Sequence, residues 1–165
     1  MSWAREWLEG VRELGRAARH DEAVLEAMLS RAGSPRTGSG GVGARGGDVS
    51  DPTASEAMAI SAARSRAERS LSSWSADVRE LDGMLASMDD ANPRHPWWSR
   101  AIRTRYVDDV PDVVGAASMG YGVSQYRLFV RCGIDWLEYM GPRGHQTPYD
   151  GVSYDKWETI PDSNG

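Results

Sequence analysis

The side chains best suited to holding a ligand lie near the C-terminal end of the chain. Ser124, Gln125, Arg127 and Arg131 fall within a few residues of one another, and Arg103 lies upstream of them. A hydroxyl, an amide and two guanidinium groups at the start of a helix are what a recognition helix presents to base edges and phosphates in the major groove of double-stranded DNA. Nothing comparable points to catalysis. The three histidines, His20, His95 and His145, sit in separate segments without metal-ligand spacing, and the single cysteine, Cys132, can form neither an internal disulfide nor a zinc site of cysteine pairs. The adjacent carboxylates Asp89-Asp90 and Asp108-Asp109 have the charge to hold a cation. Helix ends and turns collect aspartate for capping, and that is the simpler account of both pairs. The expectation is a non-enzyme with no catalytic residues, no cofactor and no metal, whose site residues bind DNA.

Those side chains need a scaffold, and the sequence from Arg100 to Met140 supplies one. Ile102 and Tyr106 are four residues apart on one helical face, with Arg100, Arg103 and Arg105 around them. Asp108, Asp109 and Pro111 then break the helix, because proline biases the residue before it away from helical geometry. A short helix from about Pro111 to Ser118 follows. Gly120 and Gly122 bracket Tyr121 and supply a sharp turn. The next helix begins at Val123 or Ser124 and buries a stripe of Tyr126, Val130, Gly133, Leu137 and Met140, with Phe129 and Trp136 beside it. Ser124, Gln125, Arg127 and Arg131 lie off that stripe.

Three passages of this region resemble a known family, the RinA/ArpU-type transcriptional regulators of phages and prophages, whose C-terminal module is similar to the helix-turn-helix of sigma-factor region 4. Arg103-Thr104-Arg105-Tyr106-Val107 looks like the end of the family's first helix, Ser118-Met119-Gly120-Tyr121 like the hinge, and Gln125-Tyr126-Arg127-Leu128 like the start of the recognition helix. The Gly-rich stretch followed by Ser50-Asp51-Pro52-Thr53-Ala54 is also similar, so the resemblance spans roughly residues 3 to 140. It implies a DNA-binding regulator of phage or prophage genes acting in the cytoplasm of a bacterial host, with a recognition helix over about 123–138 and RNA polymerase as a further partner. The chain departs from the family at Gly115, where a large aliphatic residue is usual, which leaves Val113 and Val114 to pack the second helix. Gly122-Val123-Ser124 also imitates the Gly-Val-Ser turn of other helix-turn-helix proteins, and on that register the recognition helix starts two residues later.

Upstream, residues 1–32 read as an N-terminal helix, with Trp7, Val11, Leu14, Ala18, Leu25 and Met28 near a seven-residue repeat that Asp21 interrupts. Residues 33–50, rich in Gly, Ser, Pro and Arg, read as a flexible linker. Residues 51–90 read as a long coiled-coil helix opened by Asp51 or Thr53 as cap, with Glu56 completing a capping box. Its stripe, Ile60, Ala63, Ala67, Leu71, Trp74, Val78, Leu81, Leu85 and Met88, steps by three and four, the pattern of a helix that pairs along a narrow seam. The partner is either the first helix, as an antiparallel hairpin, or a second chain, as a homo-oligomer. Trp97 and Trp98 open the helix-turn-helix domain, residues 97–141, wedged between coiled coil and head, and residues 142–165 read as a disordered tail. The expected fold class is therefore all-α, a long helical hairpin or coiled coil followed by a C-terminal helix-turn-helix domain.

Charge is the main objection to DNA as the partner. The net charge is −5, and the 97–141 region balances its five arginines with Asp108, Asp109, Asp112, Asp135 and Glu138, whereas DNA affinity rests largely on phosphate neutralisation. A basic surface therefore requires those acids to lie elsewhere or to be occupied. The apolar runs are too short for a membrane span. A second reading, a phage assembly or adaptor protein using the same helices for protein contacts, takes the acidic balance as its support.

Overall fold

A computed structural model of the chain describes residues 2–33 and 52–142; the rest of the expected linker and tail lie outside the described residues. The architecture is all-α, and no strand occurs among the described residues. Among the described residues five helices follow one another: α1 (Trp3–Gly33), α2 (Pro52–Ala91), α3 (Trp97–Tyr106), α4 (Asp112–Met119) and α5 (Val123–Met140). Gly33, expected in the linker, closes α1. No helix among the described residues is long and apolar enough to cross a membrane.

The described residues divide into two compact units, residues 2–12 with 77–142, and residues 13–33 with 52–76. In the first, α3 and α4 both pack on α5. Its core holds Leu8 and Val11 from α1, Leu81, Met84, Leu85 and Met88 from α2, Trp98, Ala101, Ile102 and Tyr106 from α3, and Tyr126, Phe129, Val130 and Leu137 from α5. Two glycines set the helix spacings. A Cβ on Gly133 would lie 2.5 Å from Cδ1 of Ile102, so α3 crosses α5 at a notch that only glycine leaves open. A Cβ on Gly115 would lie 2.9 Å from Cζ and Oη of Tyr126, and the phenol fills the space that a side chain would have taken. The Tyr126 hydroxyl crosses to α3, donating to the carbonyl of Ala101 at 3.2 Å.

This arrangement corrects the reading of α4. Val113 and Val114 are 66% and 56% exposed; Gly115, Ala116 and Met119 face the core instead. Close approach through Gly115, with Tyr126 as the filler, replaces the aliphatic anchor. Met140, assigned to the α5 stripe, is half-exposed, because Gly141 ends the helix there. Trp98 is fully buried with its ring stacked on His95, centroids 4.6 Å apart, while Trp97 stays half-buried and meets the edge of Tyr121 at 5.5 Å.

In the second unit, the 13–33 part of α1 and the 52–76 part of α2 run antiparallel: Gly15 lies against Trp74, and further along α1 Asp21 accepts a hydrogen bond from Ser70. Asp21, which interrupts the apolar repeat, is thus answered by a hydroxyl on the opposite helix. The same contact moves the seam by one residue. Ser70 faces inward, and Leu71, expected in the stripe, turns outward at 53% exposed. Of the two expected caps of α2, Asp51 lies outside the described residues, and Thr53 lies inside the helix, which already includes Pro52.

Candidate nucleic-acid interface

The turn between α4 and α5 is built by its glycines. Gly120 sits in the left-handed region at φ +78°, and the N–H groups of Gly120 and Tyr121 return to the carbonyls of Ala117 and Ala116, which ends α4 by a glycine C-cap. Gly122 is extended and its carbonyl accepts from the Tyr126 N–H, so α5 begins at Val123, the earlier of the starts the sequence allows. Between the two glycines, Tyr121 meets Phe129 edge-on at 5.0 Å and anchors the turn to the core.

From that start, the first two turns of α5 put Ser124, Arg127 and Arg131 along one exposed line, at steps of three and four. All three border a cleft of ≈640 Å³, together with Leu128, Arg105 and Tyr106 from α3, Asp112 from α4, and Arg5 and Glu9 from α1. Gln125 is half-buried and does not line it. Arg103 is separate: it pairs with Asp82 of α2, and both side chains are about half exposed. Of the five residues proposed from sequence, the structure therefore brings together Ser124, Arg127 and Arg131.

The cleft holds four guanidinium groups against two carboxylates. Asp112 answers two of the four, accepting from Arg127 Nε at 2.9 Å and lying 3.3 Å from Arg105 Nη1. An arginine engaged through Nε keeps its terminal N–H donors for a further acceptor. Other acids of the region are drawn into contacts of their own. Glu138 holds the start of α1, accepting from Ser2 Oγ at 2.6 Å and from the Ala4 N–H at 3.0 Å, where the positive end of a helix dipole favours a carboxylate. Asp109, in the left-handed region at φ 53°, lies 4.0 Å from Arg12 Nε. Asp135 is half-buried; that burial pushes its carboxyl up, against the pull of Arg131 and Arg5 and reinforced by Glu138.

The remaining titratable groups here are structural. Burial raises the Tyr106 phenol against the pull of Arg105, and burial with Asp112 nearby raises that of Tyr126 to about 12. Burial, reinforced by Asp135, pushes the Cys132 thiol up to about 12, so it packs as a small apolar side chain.

Sequence reasoning missed Arg5, Glu9, Arg105 and Asp112. Arg105 and Asp112 lie inside the region already singled out, and their seven-residue separation across the helix break hid their pairing. Arg5 gave no signal, since nothing in the spacing of α1 relates it to a helix more than a hundred residues further on. Comparison with protein-family models, characterised proteins and solved structures finds no match to this chain.

Proposed function

We propose that the chain is a DNA-binding transcriptional regulator of phage or prophage genes, with α4, the Gly120–Gly122 turn and α5 as a helix-turn-helix of the sigma region 4 type. The first turns of α5 enter the major groove. Ser124 and Gln125 reach base edges, Arg127 and Arg131 reach bases or phosphates, and Arg103 contacts the flanking backbone. The observation that supports this most is the cleft, where Arg5 joins Arg105, Arg127 and Arg131 and leaves guanidinium groups in excess of carboxylates on an otherwise acidic protein. The two charged residues that α1 adds, Arg5 and Glu9, cancel; the excess comes from Arg105, Arg127 and Arg131 against Asp112, because the other four acids of the 97–141 region do not line the cleft. On this reading α1 and α2 form a coiled coil, RNA polymerase is a further partner, and the protein works in the bacterial cytoplasm.

A phage assembly or adaptor role is the second reading, favoured by one observation: Val113 and Val114 form an exposed apolar pair on α4, beside the cleft rather than in it. A salt-titrated mobility shift separates the two, using fragments from the protein's own genomic neighbourhood and an unrelated fragment of equal length. The regulator binds selectively, and Arg127→Ala with Arg131→Ala lowers affinity by roughly one to two orders of magnitude and flattens the salt dependence by about two phosphate contacts. Full affinity in the double variant would refute the interface. Absence of binding at low salt would favour the adaptor.

A further inference from the structure

One arginine of the cleft is braced from behind. The Arg127 side chain is 63% exposed, while that of Asp112, its ion-pair partner, is 19% exposed. The two meet through Nε, 2.9 Å from Oδ2 of Asp112, so both terminal nitrogens of the guanidinium remain as a fork of donors for another acceptor. The carboxylate is itself held. Nη1 of Arg105 lies 3.3 Å from its other oxygen, Oδ1, and the Arg105 guanidinium sits over the ring of Tyr106, with Cζ 5.6 Å from the centroid. Asp112 also opens α4, where the positive end of the helix favours an ionised carboxylate. Arg105, Asp112 and Arg127 come from α3, α4 and α5 in turn, and they form a chain that runs from a largely covered arginine to an exposed one.

We infer that Asp112 is a positioning residue for base reading, which fixes Arg127 so that its terminal fork meets a guanine at one position of the DNA site. This rests on the DNA-binding reading of α5 and names what one of its side chains reads. On the major-groove edge a guanine presents two acceptors, O6 and N7, side by side, and an end-on guanidinium fork meets both; no other base offers two acceptors there. An arginine on a free stem pairs as readily with a phosphate, which carries no sequence information. Holding Nε removes much of that freedom before DNA arrives, and the carboxylate repels a phosphate that comes close to it. Asp112 therefore penalises the backbone contact and leaves the base contact, so it contributes selectivity through preorganisation and repulsion together. This accounts for an acid in the middle of a cleft that would attract phosphate more strongly without it. The charge of Arg127 still counts toward phosphate neutralisation while the fork reads the base.

Selection of the purified full chain against DNA duplexes with a randomised core, with sequencing of the bound fraction, tests it. The wild type is expected to enrich a guanine at a position where Arg127→Ala abolishes the preference. At that position Asp112→Asn lowers the guanine preference roughly ten-fold, while affinity for the unselected pool rises and its salt dependence steepens by about one phosphate contact. Asp112→Glu keeps the charge at the start of α4 and moves it by one methylene. It lowers the same preference without the rise in pool affinity, which separates placement from charge and serves in place of Asp112→Asn if that variant folds poorly. Replacing the selected guanine with 7-deazaguanine removes the N7 acceptor and should cost the wild type more affinity than it costs Asp112→Asn. A preference kept in full by both Asp112 variants, or lost evenly across the whole site as a folding defect would cause, overturns the assignment. Selective binding with no guanine that depends on Arg127 overturns it alone, whereas a wild type that binds no duplex at low salt removes the DNA-binding reading with it.

Discussion

Replacing Gly115 with alanine tests whether the α4–α5 spacing is set by the Tyr126 ring. In an ordinary helix interior the change stabilises, by about 0.5–1 kcal/mol, because glycine loses more conformational entropy on folding. Gly10 and Gly83 are such sites: both are helical, and an added Cβ meets nothing within 4 Å. At Gly115 the same Cβ would lie 2.9 Å from Cζ and Oη and 3.1 Å from Cε2 of Tyr126. The ring cannot swing aside cheaply, since Tyr126 is fully buried and its hydroxyl is tied to Ala101. Overpacking of this kind costs about 1–3 kcal/mol, and displacing the phenol forfeits a hydrogen bond worth about 1 kcal/mol. The clash outweighs the propensity gain, leaving a net loss of roughly 1–3 kcal/mol. For a unit of this size that lowers Tm by roughly 5–20 °C. Thermal melts followed by helical circular dichroism should therefore show Gly115→Ala falling while Gly10→Ala and Gly83→Ala rise slightly. In a Tyr126→Phe background, where the hydroxyl is gone and the ring has room to slide, the loss should shrink by more than about 0.5 kcal/mol. If Gly115→Ala melts alongside the other two variants, the account of this contact is wrong.

Two more outcomes follow from the buried titratable groups. With its thiol near 12, Cys132 is ionised to only about 10⁻⁴ at pH 8, so a disulfide reagent should react with the native protein at its unfolding rate and promptly in denaturant; fast native labelling would contradict the packing. Asp135 has a raised carboxyl, so the folded chain holds this proton more tightly than the unfolded chain, and its ionised form works against folding at neutral pH. Asp135→Asn should raise Tm at pH 7, with the gap closing as pH falls through the carboxylate range and the native aspartate takes up its proton. A lower Tm at pH 7 would mean that attraction to Arg131 and Arg5 outweighs burial.

The periodic apolar stripes and the Gly and Pro breaks were enough to read an all-α chain, because both are local: a 3.6-residue period and a residue's own backbone preferences are written within a few positions. The α4–α5 turn was legible for the same reason. Packing partners were not. Gly115 read as a missing anchor because a glycine in sequence carries no record of the ring that fills its place, and Leu71 read as a seam residue because period alone cannot tell that Asp21 on the facing helix would draw Ser70 inward. The candidate site divides along the same line. Ser124, Arg127 and Arg131 share a face by helical geometry and were found from their spacing. Arg5 joins them because the start of α1 is fastened to α5 through Glu138, and Asp112 holds Arg105 and Arg127 because α4 packs against both α3 and α5. Helical periodicity thus determined which residues share a face, and tertiary packing decided which charges meet, since electrostatic partners are chosen by distance in space rather than by order along the chain.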